Sequence, residues 1–205
     1  EKMTSTILNY KSVFILIGSL LLTACDNEST HNKSEEIINY PVRTMSGFNI
    51  AYPTSFSLNR DDTEHYFQLL PDHVQDVTSQ MLVYQAKPVC QLSEVRLVYF
   101  KLDDMMSYDI DSGAQGIVNN ISTIDGMKET STTIKPFTVS EMPARQIFFE
   151  GKLSNQKVSY EGVLIADTNT NRVWQLQFIA ENKSNNNQEV IDCTNRYVNS
   201  ISINQ

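Results

Sequence analysis

Glycine is scarce and never clustered. The seven glycines of this 205-residue chain stand singly, so there is no glycine-rich loop to cradle a phosphate. Histidine and cysteine are as sparse, with three of each. They form neither His-Glu-x-x-His nor Cys-x-x-Cys, which leaves out the common zinc-hydrolase and dithiol signatures. No Gly-x-Ser-x-Gly elbow occurs, and Ser154 and Ser159 have no histidine near them in sequence. Positive charge is also short. Sixteen Lys and Arg face 24 Asp and Glu, a net charge of −8, which does not suit nucleic acid or a basic patch on anionic lipid headgroups. Such an excess serves solubility. Long apolar runs are missing too: a membrane span takes about 20 apolar residues, and the uncharged stretch from Ser12 to Cys25 includes Gly18, Ser19 and Thr23. No reaction and no cofactor are implied, and a non-catalytic protein is expected.

What is present begins at the amino end. Lys2 and Lys11 precede an apolar run from Val13 to Leu22, which closes in Leu22-Thr23-Ala24-Cys25. A basic region, a short apolar core and small residues before a cut make a secretory signal peptide. The Leu-x-x-Cys ending resembles a bacterial lipoprotein signal, which is cut before its cysteine. That resemblance implies a signal peptide over 1–24 and a lipid on Cys25, anchored by several acyl chains at about 0.8 kcal/mol per buried methylene. The expected address is the bacterial cell envelope, on the periplasmic side. Asp26 and Asn27 resemble the inner-membrane retention signal of enteric bacteria and tilt the choice away from the outer membrane. Residues 25–39 are polar and lack aromatics after the cysteine, as suits a lipidated flexible tether. One globular domain is expected over 40–205.

With Cys25 assigned to lipid, Cys90 and Cys193 remain. In an oxidising compartment they are candidates for a disulfide, which would close a loop of about a hundred residues and contribute roughly 3–5 kcal/mol. Two separate buried thiols are the alternative.

The hydrophobic periodicities outline the domain. Two short strands are expected within Arg43–Leu58, broken at Pro53, and Asp61-Asp62-Thr63-Glu64 looks like a helix start. Val74, Val77, Met81 and Tyr84 follow a helical stripe after Pro71. Val95–Leu102 alternates with bulk on both faces, as in a central strand. Asp109 or Ser112 can cap a helix burying Ile117, Val118, Ile121 and Ile124, closed by Gly126. Strands are expected over Ser131–Pro136 and Ala144–Leu153. Val158–Ala166 should pair with Arg172–Ala180 across the polar turn 167–171. A last helix carries Val190, Cys193, Tyr197 and Ile201. Hairpins covered by returning helices mean an α+β fold.

Certain short motifs also resemble a family. Gly47-Phe48-Asn49-Ile50-Ala51-Tyr52-Pro53-Thr54-Ser55-Phe56 is similar to the opening strand of PsbP-like and DcrB-like domains. Val139–Arg145, with its Met142-Pro143-Ala144 corner, Tyr160-Glu161-Gly162, and Val173–Phe178 resemble later strands of those domains. The resemblance covers Tyr40–Gln205. It implies an α/β/α sandwich around a mainly antiparallel sheet, acting as a binding or assembly module rather than an enzyme. Between Arg60 and Leu92 the chain departs from the pattern, with a longer helical insert expected around Pro71.

The strongest metal-ligand grouping is His65, His73 and Asp76, with Asp61, Asp62, Glu64 and Asp72 nearby. Metal needs three or four converging ligands, and a solvated helix face explains the same residues. Asp109-Ile110-Asp111-Ser112-Gly113 resembles part of a calcium loop but lacks its glycine and its bidentate glutamate, so capping accounts for it better. Trp174 on an alternating strand is expected in the core. The expected protein is thus lipid-anchored and non-catalytic, held to the membrane through its N-terminal lipid. It would present a sheet edge or groove to another envelope protein. The alternative is a small-ligand or divalent-metal-binding lipoprotein using the His65/His73 region.

Overall fold

The computed structural model describes residues 47–204, except 71, 105 and 183–186. The expected signal peptide (1–24), Cys25 and the tether (25–39) lie outside the described residues.

The chain runs through β1 (Phe48–Asn49), β2 (Ser57–Leu58), α1 (Arg60–Leu69), α2 (Asp72–Gln75), β3 (Thr78–Ala86), β4 (Glu94–Leu102), α3 (Ile110–Ser122), β5 (Met127–Val139), β6 (Met142–Leu153), β7 (Gln156–Asp167), β8 (Arg172–Asn182), α4 (Asn187–Val198) and β9 (Ser202–Ile203). Seven strands form one sheet in the order β2-β3-β4-β8-β7-β6-β5, and β1 pairs with β9. Every pairing in both sheets is antiparallel. The class is α+β, as the segment pattern predicts.

Local chemistry explains most of these boundaries. Asn59 caps α1 by accepting from the Asp62 amide at 3.0 Å, with Asp61 and Asp62 in the first turn. Asp109 caps α3 by accepting from the amides of Asp111 and Ser112 at 2.9 and 3.0 Å. The β5–β6 and β6–β7 turns place Ser140-Glu141 and Ser154-Asn155 at positive φ, the geometry that two-residue hairpin turns demand. Gly47 sits at φ +85°, where a Cβ would come within 2.4 Å of the Asn204 carbonyl oxygen. The glycine that opens the Gly47–Phe56 motif thus lets the first strand dock on the last.

Alternation along the strands feeds two cores. On one face Val95, Leu97, Val163, Trp174, Leu176 and Phe178 pack with Phe48, Ile50, Tyr52 and Val198. On the other, Ile147, Phe149, Leu164, Ala166 and Val173 meet Ile110, Ala114 and Val118 of α3. Helices therefore lie on both faces, with α4 on the first and α3 on the second. Trp174 is fully buried, and each large apolar side chain so buried contributes about 1.5–3 kcal/mol. Strand β4 is flanked by β3 and β8 and is buried along nearly its whole length, as its doubly apolar pattern requires.

One element differs from the sequence reading. The helical stripe through Val74, Val77, Met81 and Tyr84 does not exist. After Pro71 only one helical turn, α2, precedes strand β3, so the helical part of 60–92 is confined to α1 and α2. Residues 78–86 alternate as well as they repeat at helical spacing, and the sheet decides between the two. Strand β4 is buried on both faces and needs a partner for its outer hydrogen-bonding edge, which β3 supplies from Thr78↔Leu102 to Ala86↔Val95. The far edge of β3 is then covered: β2 pairs with it, the Asn59 amide donates to the Val83 carbonyl at 2.8 Å, and Thr63 Oγ1 accepts from the Val83 amide at 2.9 Å.

Candidate functional site

Strand β7 carries a charged residue in an otherwise apolar run, Tyr160-Glu161-Gly162-Val163-Leu164. Alternation points Glu161 to the α4 side of the sheet, the face that also carries Val163 and Ile165. There it forms the back of a groove of about 660 Å³ between α4 and strands β5–β7. Phe148 and Phe178 contribute apolar surface, and Thr194 and Asn195 of α4 form the opposite wall.

Glu161 is 6% exposed. Its Oε1 accepts from Gln146 Nε2 at 2.7 Å, and its Oε2 accepts from Thr194 Oγ1. Gln146 Nε2 also donates to Asn195 Oδ1 at 3.0 Å. Burial raises the Glu161 pKa and outweighs the two hydrogen bonds, which pull it down. The folded chain therefore holds this proton more tightly than the unfolded one, and stability is lost as pH rises from about 4.5 through the raised folded value. Glu161→Gln keeps the shape and removes the charge. Its melting temperature is expected to exceed that of the parent by a few degrees in mildly alkaline buffer and to match it in mildly acidic buffer. A constant offset between the two proteins across that range in a melting series would contradict the assignment.

A disulfide holds the α4 wall in place. Cys90, in the β3–β4 connection, is bonded to Cys193 of α4 with Cα atoms 5.7 Å apart. Leu92, two residues on, lines the same groove. The disulfide expected between the two remaining cysteines is present.

A second polar cluster lies on the opposite face. Arg96 of β4 is 1% exposed, donates to Glu94 and to the Tyr66 hydroxyl, and lies 3.4 Å from Asp62. Its guanidinium stacks 5.2 Å from the Tyr66 ring centroid. Burial raises the Tyr66 pKa against the pull of Arg96. Gln85 donates to Glu94 at 3.3 Å. The guanidinium is buried while Asp62, at the cluster's rim, stays partly exposed, and the cluster braces α1 against the sheet.

The residues singled out in the sequence fall elsewhere. His65 lies on α1, His73 on α2, and Asp76 just beyond α2. Among the described residues no three His, Cys, Asp or Glu side chains gather to hold a metal ion. Asp109 is used as a cap, and Asp111 pairs with Arg145 at 2.6 and 3.0 Å, a bond that lowers the Asp111 pKa. Ser154 and Lys157 have Ser-x-x-Lys spacing, yet they are exposed at the β6–β7 turn. Cys25, the expected lipidation site, lies outside the described residues. Neither Glu161 nor Arg96 was foreseen, although a lone charge inside an apolar strand is a legible sign of a buried polar network.

The sheet edges are poorly suited to recruiting another strand. Strand β2 has two residues. Strand β5 is long, but Pro136 interrupts its donors and it is irregular between Glu129 and Ser131. The groove, rather than an edge, is the developed concave feature of the described residues. Among the described residues, no helix is long and apolar enough to cross a membrane.

No protein-family model matches this chain, and no curated protein matches it. Solved structures do. One is LpqN of Mycobacterium tuberculosis, involved in cell envelope biogenesis, at 12% identity and a TM-score of 0.42, with 77% of this chain and 83% of LpqN covered. Another is PA94 of Pseudomonas aeruginosa, a protein of unknown function, at 12% identity and a TM-score of 0.37, with 62% of this chain and 83% of PA94 covered. Neither likeness bears on what the groove does.

Proposed function

We propose that this chain is a lipid-anchored, non-catalytic binding module of the bacterial cell envelope that holds an envelope component in the groove beneath α4. The observation that carries the reading is the groove itself. A buried carboxyl, Glu161, is held in place by Gln146 and Thr194 at the back of a solvent-open cleft. Sites built to recognise ligands combine apolar surface with a few placed polar groups in this way. The leader ending in Leu22-Thr23-Ala24-Cys25 supports the address. The Cys90–Cys193 disulfide is at home in an oxidising compartment. The short-motif resemblance to PsbP-like and DcrB-like domains is in keeping with a binding or assembly role.

Two substitutions test this. Cys25→Ser should move the protein from the membrane fraction to the soluble fraction and abolish labelling by a fatty-acid analogue. Asn195→Arg should fill the groove with a long side chain, leave membrane attachment intact and abolish co-purification of the envelope component from native membranes. Unchanged fractionation of Cys25→Ser would overturn the address, and unchanged co-purification with Asn195→Arg would overturn the role of the groove.

A further inference from the structure

We infer, resting on the reading of this groove as the binding site, that its ligand is an uncharged, hydroxyl-rich molecule: a short saccharide. Four observations point there. The first is the chemistry of the walls. Ser131 and Thr133 of β5 line the groove opposite Asn195, with Gln146 between them. Hydroxyls and carboxamides both donate and accept hydrogen bonds, and sugar hydroxyls do the same, so each ligand hydroxyl can find a complementary partner.

The second is the aromatic surface. Phe148 lies half-buried in the lining, with the Lys135 ammonium 5.2 Å from its ring centroid. An aromatic face carries partial negative charge and suits the weakly positive C–H face of a sugar ring as it suits that ammonium.

The third is charge. Among the described lining residues Glu150 offsets the ammonium of Lys135, so the groove holds no excess of positive charge to draw an anionic ligand. Glu161 already accepts from two donors, and burial favours its neutral form, so it is a poor counter-ion for a cationic ligand. An acyl chain would cover the Ser131 and Thr133 hydroxyls of the β5 wall without offering them partners, which is costly.

The fourth is the direction of the lining groups. The floor presents strand side chains rather than backbone donors and acceptors, so a peptide could not add a ladder there as it does at a sheet edge. The groove volume, about 660 Å³, lies within the range of small-molecule sites.

The test uses the full chain in its soluble Cys25→Ser form, free of detergent, titrated with chitotriose and maltotriose while side-chain amide resonances are followed by NMR. Inorganic phosphate, palmitate and an extended Thr/Val peptide serve as competing chemistries. Saturable shifts at the Gln146 and Asn195 amides are expected with a trisaccharide and not with the others. Gln146→Ala and Phe148→Ala should each weaken binding about tenfold or more. Both variants remove side chains at a solvent-open cleft, and unaltered backbone spectra would confirm that they fold. Silence from both sugars at millimolar concentration, or saturation by phosphate, palmitate or peptide instead, overturns the inference. If that happens while Asn195→Arg still abolishes co-purification from membranes, the groove remains the binding site and only the ligand class falls. If Asn195→Arg changes nothing in the membrane experiment, the groove reading itself has failed.

Discussion

Replacing both Cys90 and Cys193 by serine is expected to lower stability by about 4–5 kcal/mol, the chain-entropy value for a loop of about a hundred residues. The sequence separation here is 103 residues. For a domain of this size each kcal/mol corresponds to roughly 2–4 °C, so the melting temperature should fall by roughly 8–20 °C. The same loss should follow in the parent protein when dithiothreitol is added. The effect should also have a place. Helix α4 is tied to the rest of the molecule by the disulfide, by Val198 in the core and by the Thr194–Glu161 hydrogen bond. Hydrogen exchange in the reduced protein should therefore rise first along α4, and groove binding should weaken before the sheet unfolds. A change of less than about 2 °C, set against that conversion, would mean that the unfolded chain gains little freedom when the bond is cut. Uniform exchange across the sheet would mean that the disulfide is not what holds the groove wall.

Arg96→Ala should be about as damaging, at about 3–5 kcal/mol, the usual loss when one partner of a buried ion pair is removed. The cause is not the missing attraction alone. Glu94 is 8% exposed, and without the guanidinium its carboxylate would stay buried with only Gln85 as donor. Glu94 Oε2 and Arg96 Nε already lack hydrogen-bond partners, so this network is incompletely satisfied even when intact. Apolar or neutral replacement of both charges is therefore expected to restore most of the loss. Glu94→Gln combined with Arg96→Met should melt close to the parent in urea titrations, well above Arg96→Ala. If the double variant is as unstable as the single one, the pair does more than neutralise itself. The packing of Tyr66 over the guanidinium would then be the part that matters.

The two clusters differ in a way that bears on function. Arg96 lies between α1 and the sheet, and its partners Glu94, Tyr66 and Asp62 do not line the groove beneath α4. Glu161 is as deeply buried, yet its network opens through Gln146 and Asn195 onto a groove. Buried polar groups demand satisfaction wherever they lie. Only those whose network lines a groove can pass a preference to a ligand.

Local signals reached far along this chain. The helix start at 61–64, the cap at Asp109, the central strand at 95–102, the polar turn at 167–171 and the last helix all follow from features a few residues apart, and physical chemistry acts at that range without help from the fold. The 78–86 segment shows where such signals fail. Its residues satisfy a helical period and an alternating one together, and only the open edge of β4 selects the strand. Composition leaves Cys90 and Cys193 as either a disulfide or two separate thiols, and it takes the fold to join them and to place Cys193 on the helix that walls a groove.

The amino-acid order by itself determined an acidic α+β domain and the alternation that builds two cores, because each rests on composition or short-range periodicity. Tertiary structure alone decided the groove, whose contacts join residues 33 and 49 positions apart, Glu161 with Thr194 and Gln146 with Asn195. Such a site is written in no local stretch, since its chemistry appears only when antiparallel pairing brings β6 beside β7 and the disulfide holds α4 across them.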